Sequence, residues 1–340
     1  MKSYSSHDCN QDTVETLILY GSTIQNLSIT HAGLKSLDFL SFENGSTRFP
    51  RLEILNVSQN HISSIPLRFP TTLKDLDVSN NDMEHFRLAH ETRLEKLNIS
   101  NNQFGNYSTL PNWHNLPNLK VFRCSNNRIN HFPVGFNVYQ SFFEINLSHN
   151  QIHSLEGIWL PETVFLLKLN SNNIEFNEKS IPVPSFVGMI HLDLSNNLIS
   201  NFNSMLPHVF RTLQYLDLSN NKLVAFNMKY GHAINLVSLN LSNNHLSPEA
   251  ISNFKTGMIE SLRCFYIMGQ RGLENKDVKR HFLNELALAF MNPLCEITED
   301  DIPFSRRARV EFSNRRFLNG LVVVTSMPEK EDYSSMDEED

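Results

Sequence analysis

The side chains best placed to do chemistry in this chain are Val121, Arg123, Glu144, Leu166, Lys168, His191 and Tyr215. They fall on related positions that return about every 23 residues. Exposed apolar groups, an aromatic ring and charges of both signs are the mix found at the centre of a protein-recognition surface. A face that has drifted freely, with binding left to a rim or loop, is the competing reading. No nucleophile–base pair stands among them. The sequence also lacks a P-loop, G-x-G-x-x-G, G-x-S-x-G, H-E-x-x-H and a paired C-x-x-C, so no catalytic residue is expected. His149 and His153 flank a turn and do not share a helix face, which argues against a metal site. Neither a metal nor a cofactor is expected.

Those side chains need elements that repeat. The stretch LQYLDLSNNKL from Leu213 reads L-x-x-L-x-L-x-x-N-x-L, and close copies start at Leu52, Leu73, Leu94, Met189 and Leu236. Looser copies start at Leu119, Phe142 and Val164. The recurring asparagines are Asn60, Asn81, Asn102, Asn127, Asn150, Asn172, Asn197, Asn221 and Asn244. Within L-x-L, apolar and polar residues alternate, the period-2 signature of a strand with one buried face. S-N-N turns the chain directly afterwards, and the repeated Asn can bond backbone groups that have lost their ladder partner. A single unit cannot bury its own apolar edge, so neighbouring coils must stack. The outward positions of each strand then form one wall, which carries the seven side chains named above. Asp75 and Asp77 add a local acidic spot to it.

These motifs resemble the leucine-rich-repeat family over roughly residues 14–273, and the LDLSNN consensus is similar to animal Toll-like and insect immune repeat proteins. The resemblance implies an α/β fold: a right-handed solenoid, or horseshoe, with a parallel sheet on its concave face. It also implies a non-enzymatic module that binds a protein ligand on that face. The expected layout is an N-terminal cap (1–13), a solenoid (14–273) of about 12 repeats, a C-terminal α+β cap (274–325) and an acidic tail (326–340). Two degenerate repeats are expected at the start, from Val14 and around Leu34–Phe42. Prolines 66, 70 and 133 predict turns in the connections, and PNWHNLP reads as an outward bulge. Lys276–Met291 reads as an amphipathic helix with Val278, Phe282, Leu286 and Phe290 on one buried stripe.

The net charge of −7 argues against nucleic acid as a partner. No apolar run approaches about 18 residues, so no transmembrane helix is expected. Two compartments remain open. Without a visible signal or cysteine-rich ends, the chain as written reads as cytoplasmic; if a signal has been removed, it reads as a secreted recognition protein of innate-immune type. Glycosylation in the second case points to Asn26, Asn44 and Asn106. The sequons at Asn56, Asn98, Asn146 and Asn240 arise from the repeat consensus itself. Cys124 occupies a buried alternate position, the place of a core thiol. In the tail, Ser334 and Ser335 precede acidic residues at the spacing of an acidophilic kinase site. The tail could fold back onto Arg306, Arg307, Arg309, Arg315 and Arg316; mutual screening of these charges is the plainer account.

Overall fold

The computed structural model describes residues 3–7, 17, 19–40, 42–43, 46–66, 68–105, 109–133, 135, 142–155, 158, 160–176, 188–202, 212–226, 235–247, 250, 264–267, 269–271, 275–278, 280–281 and 322–324. The chain divides into two compact units, Met1–Asp193 and Leu194–Asp340. In the first, strands β1 (Ser3–Ser6), β2 (Asn26–Ile29), β5 (Ile54–Asn56), β6 (Asp75–Asp77), β7 (Lys96–Asn98), β8 (Val121–Arg123), β9 (Glu144–Asn146), β10 (Leu166–Lys168) and β11 (His191–Asp193) lie side by side in chain order, all parallel. A small antiparallel pair, β3 (Phe42–Glu43) with β4 (Ser46–Thr47), decorates the connection from β2 to β5. The second unit holds β12 (Tyr215–Asp217), β13 (Ser238–Asn240), β14 (Cys264–Tyr266) and β15 (Val322–Val324), again parallel and in order.

Each strand of the parallel sheet is three or four residues long, and after β5 to β13 an αL residue and the ladder Asn bend the chain away. The residue before each ladder Asn has positive φ: Gln59, Asn80, Asn101, Asn126, His149, Ser171, Asn196, Asn220 and Asn243 lie between 53° and 59°. Asn tolerates this region better than most residues, which accounts for the N-N pair. The second Asn is buried and bonds in four directions. Asn81 shows the pattern: Nδ2 donates to the carbonyls of Val57, Val78 and Ser79 at 3.1, 3.0 and 3.1 Å. Its Oδ1 accepts from the Ile62 amide of the preceding coil at 2.9 Å. Asn102, Asn150 and Asn172 repeat the geometry, as do Asn221 and Asn244 in the second unit. Gln270 takes over at the next coil, accepting from Leu246 N and donating to the Leu241 and Ile267 carbonyls.

Between sheet and connections runs the core. The consensus Leu, Ile and Val positions are closed to solvent, joined by Phe49, Phe86, Phe104 and Phe122 in the first unit and by Phe202 and Phe226, whose rings stack at 5.9 Å, in the second. Cys124 is fully buried, and burial pushes its thiol well above the ordinary value, as expected for a core position.

Several expectations are corrected. The first unit of the solenoid does not start at Val14. Its strand is β2, so the repeat runs from Ile24, with Leu27 and Ile29 buried and His31 at φ 57° in the turn. Apolar alternation over Ile24–Ile29 matches the pleat, whereas residues 17, 19 and 20 are helical. The polar Ser3–Ser6 stretch is a strand: it pairs with β2, and Thr30 N donates to Ser6 O at 3.0 Å. The PNWHNLP segment turns inward. Trp113–Asn115 is a 3-10 turn capped by Asn112, and Trp113 packs edge-on against Phe122 at 5.0 Å and Phe142 at 6.1 Å. At the C-terminal side, Asn275 caps a helical start, but Val278 keeps 37% of its surface exposed and is not on a buried stripe there. The rest of that predicted helix, the arginine cluster and the acidic tail with Ser334 and Ser335 lie outside the described residues. Low helix content is the main departure from the α/β expectation: among the described residues, helix is confined to 17, 19, 20, 250, 276–278, 280 and 281, and the other described connections are turns, 3-10 segments and extended chain.

Candidate functional site

The pleat decides which side chains face outward. In each strand the middle residue is buried, and its two neighbours point out from the sheet. On β8–β11 the register puts Val121, Glu144, Leu166 and His191 in one row and Arg123, Asn146, Lys168 and Asp193 in the next. Six of the seven predicted positions are therefore neighbours on one face. Tyr215 belongs to the second unit, on β12, where it is 40% exposed and registers with Ser238.

The face is not uniformly open. Arg123 reaches diagonally to Glu144, with Nε to Oε1 at 2.7 Å and Nη2 to Oε2 at 3.1 Å. This two-pronged pairing is the strong form of the guanidinium–carboxylate contact. It makes Arg123 and Glu144 a fixed ridge more than two available charges. Upstream, Lys96 lies 3.7 Å from Asp75, and Asn98 donates to Asp77 at 3.0 Å. Burial is the first cause raising the Asp75 carboxyl, opposed by Lys96 and reinforced by Asp77. Lys168 stands apart, exposed and without an ion-pair partner among the described residues, although Asp193 faces it in register.

One column of the site is not marked by the L-x-L alternation, which singles out only positions within and after the strand. The residue just before each strand forms a flank: Glu53, Lys74, Glu95, Lys120, Phe143, Phe165 and Ile190. Its first four members alternate in charge, with Lys74–Glu53 at 2.9 Å and Lys120–Glu95 at 2.8 Å. Then the pattern switches to two rings. Phe143 is 52% and Phe165 37% exposed, in edge-to-face contact at 5.3 Å. The visible signal was a pair of aromatics at a position that is charged in the four preceding coils.

His191 is shifted below its ordinary 6.5, first by burial and then by the Lys168 charge. The fold thus favours neutral imidazole. Its contribution to stability is fully present above pH 6.5 and is lost as the pH falls through that value towards the lowered folded one. Between about pH 7.5 and about pH 5.5, the native chain should lose more melting temperature than His191→Gln. Parallel loss in both proteins would refute this linkage.

The remaining predicted sites are placed as follows. Asn26, an exposed residue of β2, donates to Ser3 Oγ at 3.3 Å. Asn44 and Asn106 lie outside the described residues. Among the described residues, no group of three or more His, Cys, Asp or Glu side chains is arranged to hold a metal ion, and no helix is long and apolar enough to cross a membrane. His153 instead packs edge-on against His131 at 4.8 Å.

The family model described as Leucine Rich Repeat matches residues 93–116, 212–229 and 235–255, on the coils whose asparagine ladder is described above. The chain is a leucine-rich-repeat protein. Among solved structures it is similar to the leucine-rich repeat domain of APL1, with 22% identity and a TM-score of 0.58 over 92% of this chain and 80% of that one. The functional domain of InlJ from Listeria monocytogenes gives 19% identity and a TM-score of 0.55, over 79% of this chain and 53% of that one. TLR13, solved in complex with ssRNA13, gives 18% and 0.56 over 85% of this chain and 45% of that one. At these identities the likeness is one of fold. No curated protein matches the sequence. Leucine-rich-repeat domains act in general as protein–protein interaction scaffolds and are typically non-enzymatic.

Proposed function

We propose that this leucine-rich-repeat protein is a non-enzymatic scaffold that binds a protein partner on the outward sheet face, centred on β8–β11. The observation that carries this reading is the local break in the face. Elsewhere in the first unit the outward and flank positions are largely charge-paired or polar, with Ile54 an exposed apolar exception on β5. On β9–β11 they become Phe143, Phe165 and Leu166 beside Lys168 and His191. Clustered exposed aromatic and apolar side chains mark interaction surfaces.

Affinity capture with the full chain beside Leu166→Asp tests the reading. The substitution places a charge on a half-exposed position of β10 and should leave the fold intact. Partners retained by the native chain and lost by the variant support the face; a partner set indifferent to the change overturns it.

A secreted recognition protein of innate-immune type is the second reading, and the exposed sequon at Asn26 motivates it. Two proteins of similar fold, TLR13 with ssRNA13 and Toll with Spatzle, are solved as complexes. A mass shift on enzymatic deglycosylation of native protein supports secretion, and no shift counts against it. The site of any glycan matters too: Asn146 lies between Arg123 and Lys168, so a glycan there would cover the proposed docking face.

A further inference from the structure

We propose that the β9–β11 flank recognises an acidic–apolar peptide segment, an apolar side chain seating against Phe143 and Phe165 while a carboxylate two residues away meets Lys168. This deepens the docking reading above and rests on it.

The cations on the outward and flank positions of the sheet point to the carboxylate. Lys74, Lys96, Lys120 and Arg123 each have a carboxylate partner, on Glu53, Asp75, Glu95 and Glu144 respectively. Lys168 has none among the described residues. Its ammonium stands close enough to His191, on the neighbouring strand, to disfavour protonation of that ring, an effect second to burial. A ligand carboxylate would complete at β10 the pairing that the cations of β7, β8 and the flank before β6 and β8 find within the sheet. Such a contact steers encounter and selects partners by charge.

The apolar half follows from the backbone. Phe165 N and Leu166 N both donate to Phe143 O at 3.1 Å, while Ile190 N and His191 N both donate to Phe165 O at 2.9 Å. These paired bonds hold the flank residues at the spacing of adjacent strands and keep the two rings in contact at 5.3 Å. The rings cover each other's edges but leave their outer surfaces open. Leu166 and Lys168 lie two residues apart on one strand face, about 6.5–7 Å in projection. A ligand side chain lying over Leu166, against the adjoining Phe165 ring, and a carboxylate at Lys168 are one alternate-residue step apart in an extended segment. That step sets the two-residue separation required of the ligand.

Display of random dodecapeptides against immobilised full-length chain tests this. Enriched peptides should carry Asp or Glu two residues from Phe, Trp, Leu or Met. By fluorescence anisotropy, the leading peptide should bind at least tenfold more weakly to Lys168→Glu and to Phe143→Ser, and keep its affinity for Lys168→Arg. Exchanging the peptide carboxylate for Lys should restore binding to Lys168→Glu, a result that a misfolded variant could not give. Peptides lost on Leu166→Asp but indifferent to Lys168→Glu overturn this inference and leave the docking face standing. Peptides indifferent to both changes overturn both readings. Absence of any acidic–apolar enrichment, or equal binding of single-stranded oligothymidylate at the same face, overturns the peptide specificity alone.

Discussion

Replacing Asn81 with alanine lowers the unfolding free energy by about 2–4 kcal/mol, read as a fall in the urea midpoint with an unchanged slope. The size follows from which groups keep a partner. The Val57 and Val78 carbonyls still accept from Asn60 and Asn102 at 3.0 Å, and Ser79 O still accepts from Gln59 N at 3.0 Å. The Ile62 amide has no such reserve, because Asn81 Oδ1 is its acceptor at 2.9 Å. The loss therefore combines one buried orphan donor with several weakened carbonyl contacts. Asn80 is the control. Its φ is 54° and its side chain makes only a 3.5 Å contact with Ser79 Oγ, so Asn80→Ala should cost about 1–2 kcal/mol from the left-handed backbone. Equal losses at the two neighbouring asparagines would refute the ladder account. Asn81→Asp keeps the acceptor but turns a carboxylate towards three carbonyls. Its folded pKa is then raised, so the variant should lose further stability as the pH climbs above about 3.9.

Trp113→Ala is expected to cost about 3–5 kcal/mol, checked by thermal melting and by loss of the near-ultraviolet signal of an ordered indole. The ring is 6% exposed and meets Phe122, the buried residue of β8, and Phe142, which leads into β9. It thus ties two successive coils together from a connecting segment, and a repeat stack depends on such neighbour contacts. Trp113→Phe should recover most of the loss by keeping edge-to-face packing. A cost below about 1 kcal/mol for the alanine variant would mean that the segment is a detachable bulge.

Where the residue pattern was strict, the fold was legible. L-x-L alternation and the recurring Asn located β5 to β13 at the expected residues, and six candidate positions met on one face. Where the pattern relaxed, the reading slipped. The Ile24 repeat has Ala32 where the other coils carry Asn, which hid its register. β1 is polar, being an edge strand with little to bury, so its residues read only as part of a cap. Gln270 was missed because the ladder role was tied to one residue type, although a longer amide supplies the same donor and acceptor.

The candidate site divides along the same line. The sequence by itself determined the repeat length, the inward and outward alternation, and hence which side chains could stand on the wall. Only the folded chain decided how those side chains pair: that Arg123 and Glu144 satisfy each other, that Lys168 finds no carboxylate among the described residues, and that Phe143 and Phe165 touch. The physical reason is distance. A local pattern is set by dihedral angles within one coil. An ion pair or ring contact depends on strand spacing and register between coils about 21–25 residues apart, and these exist only once the stack has closed.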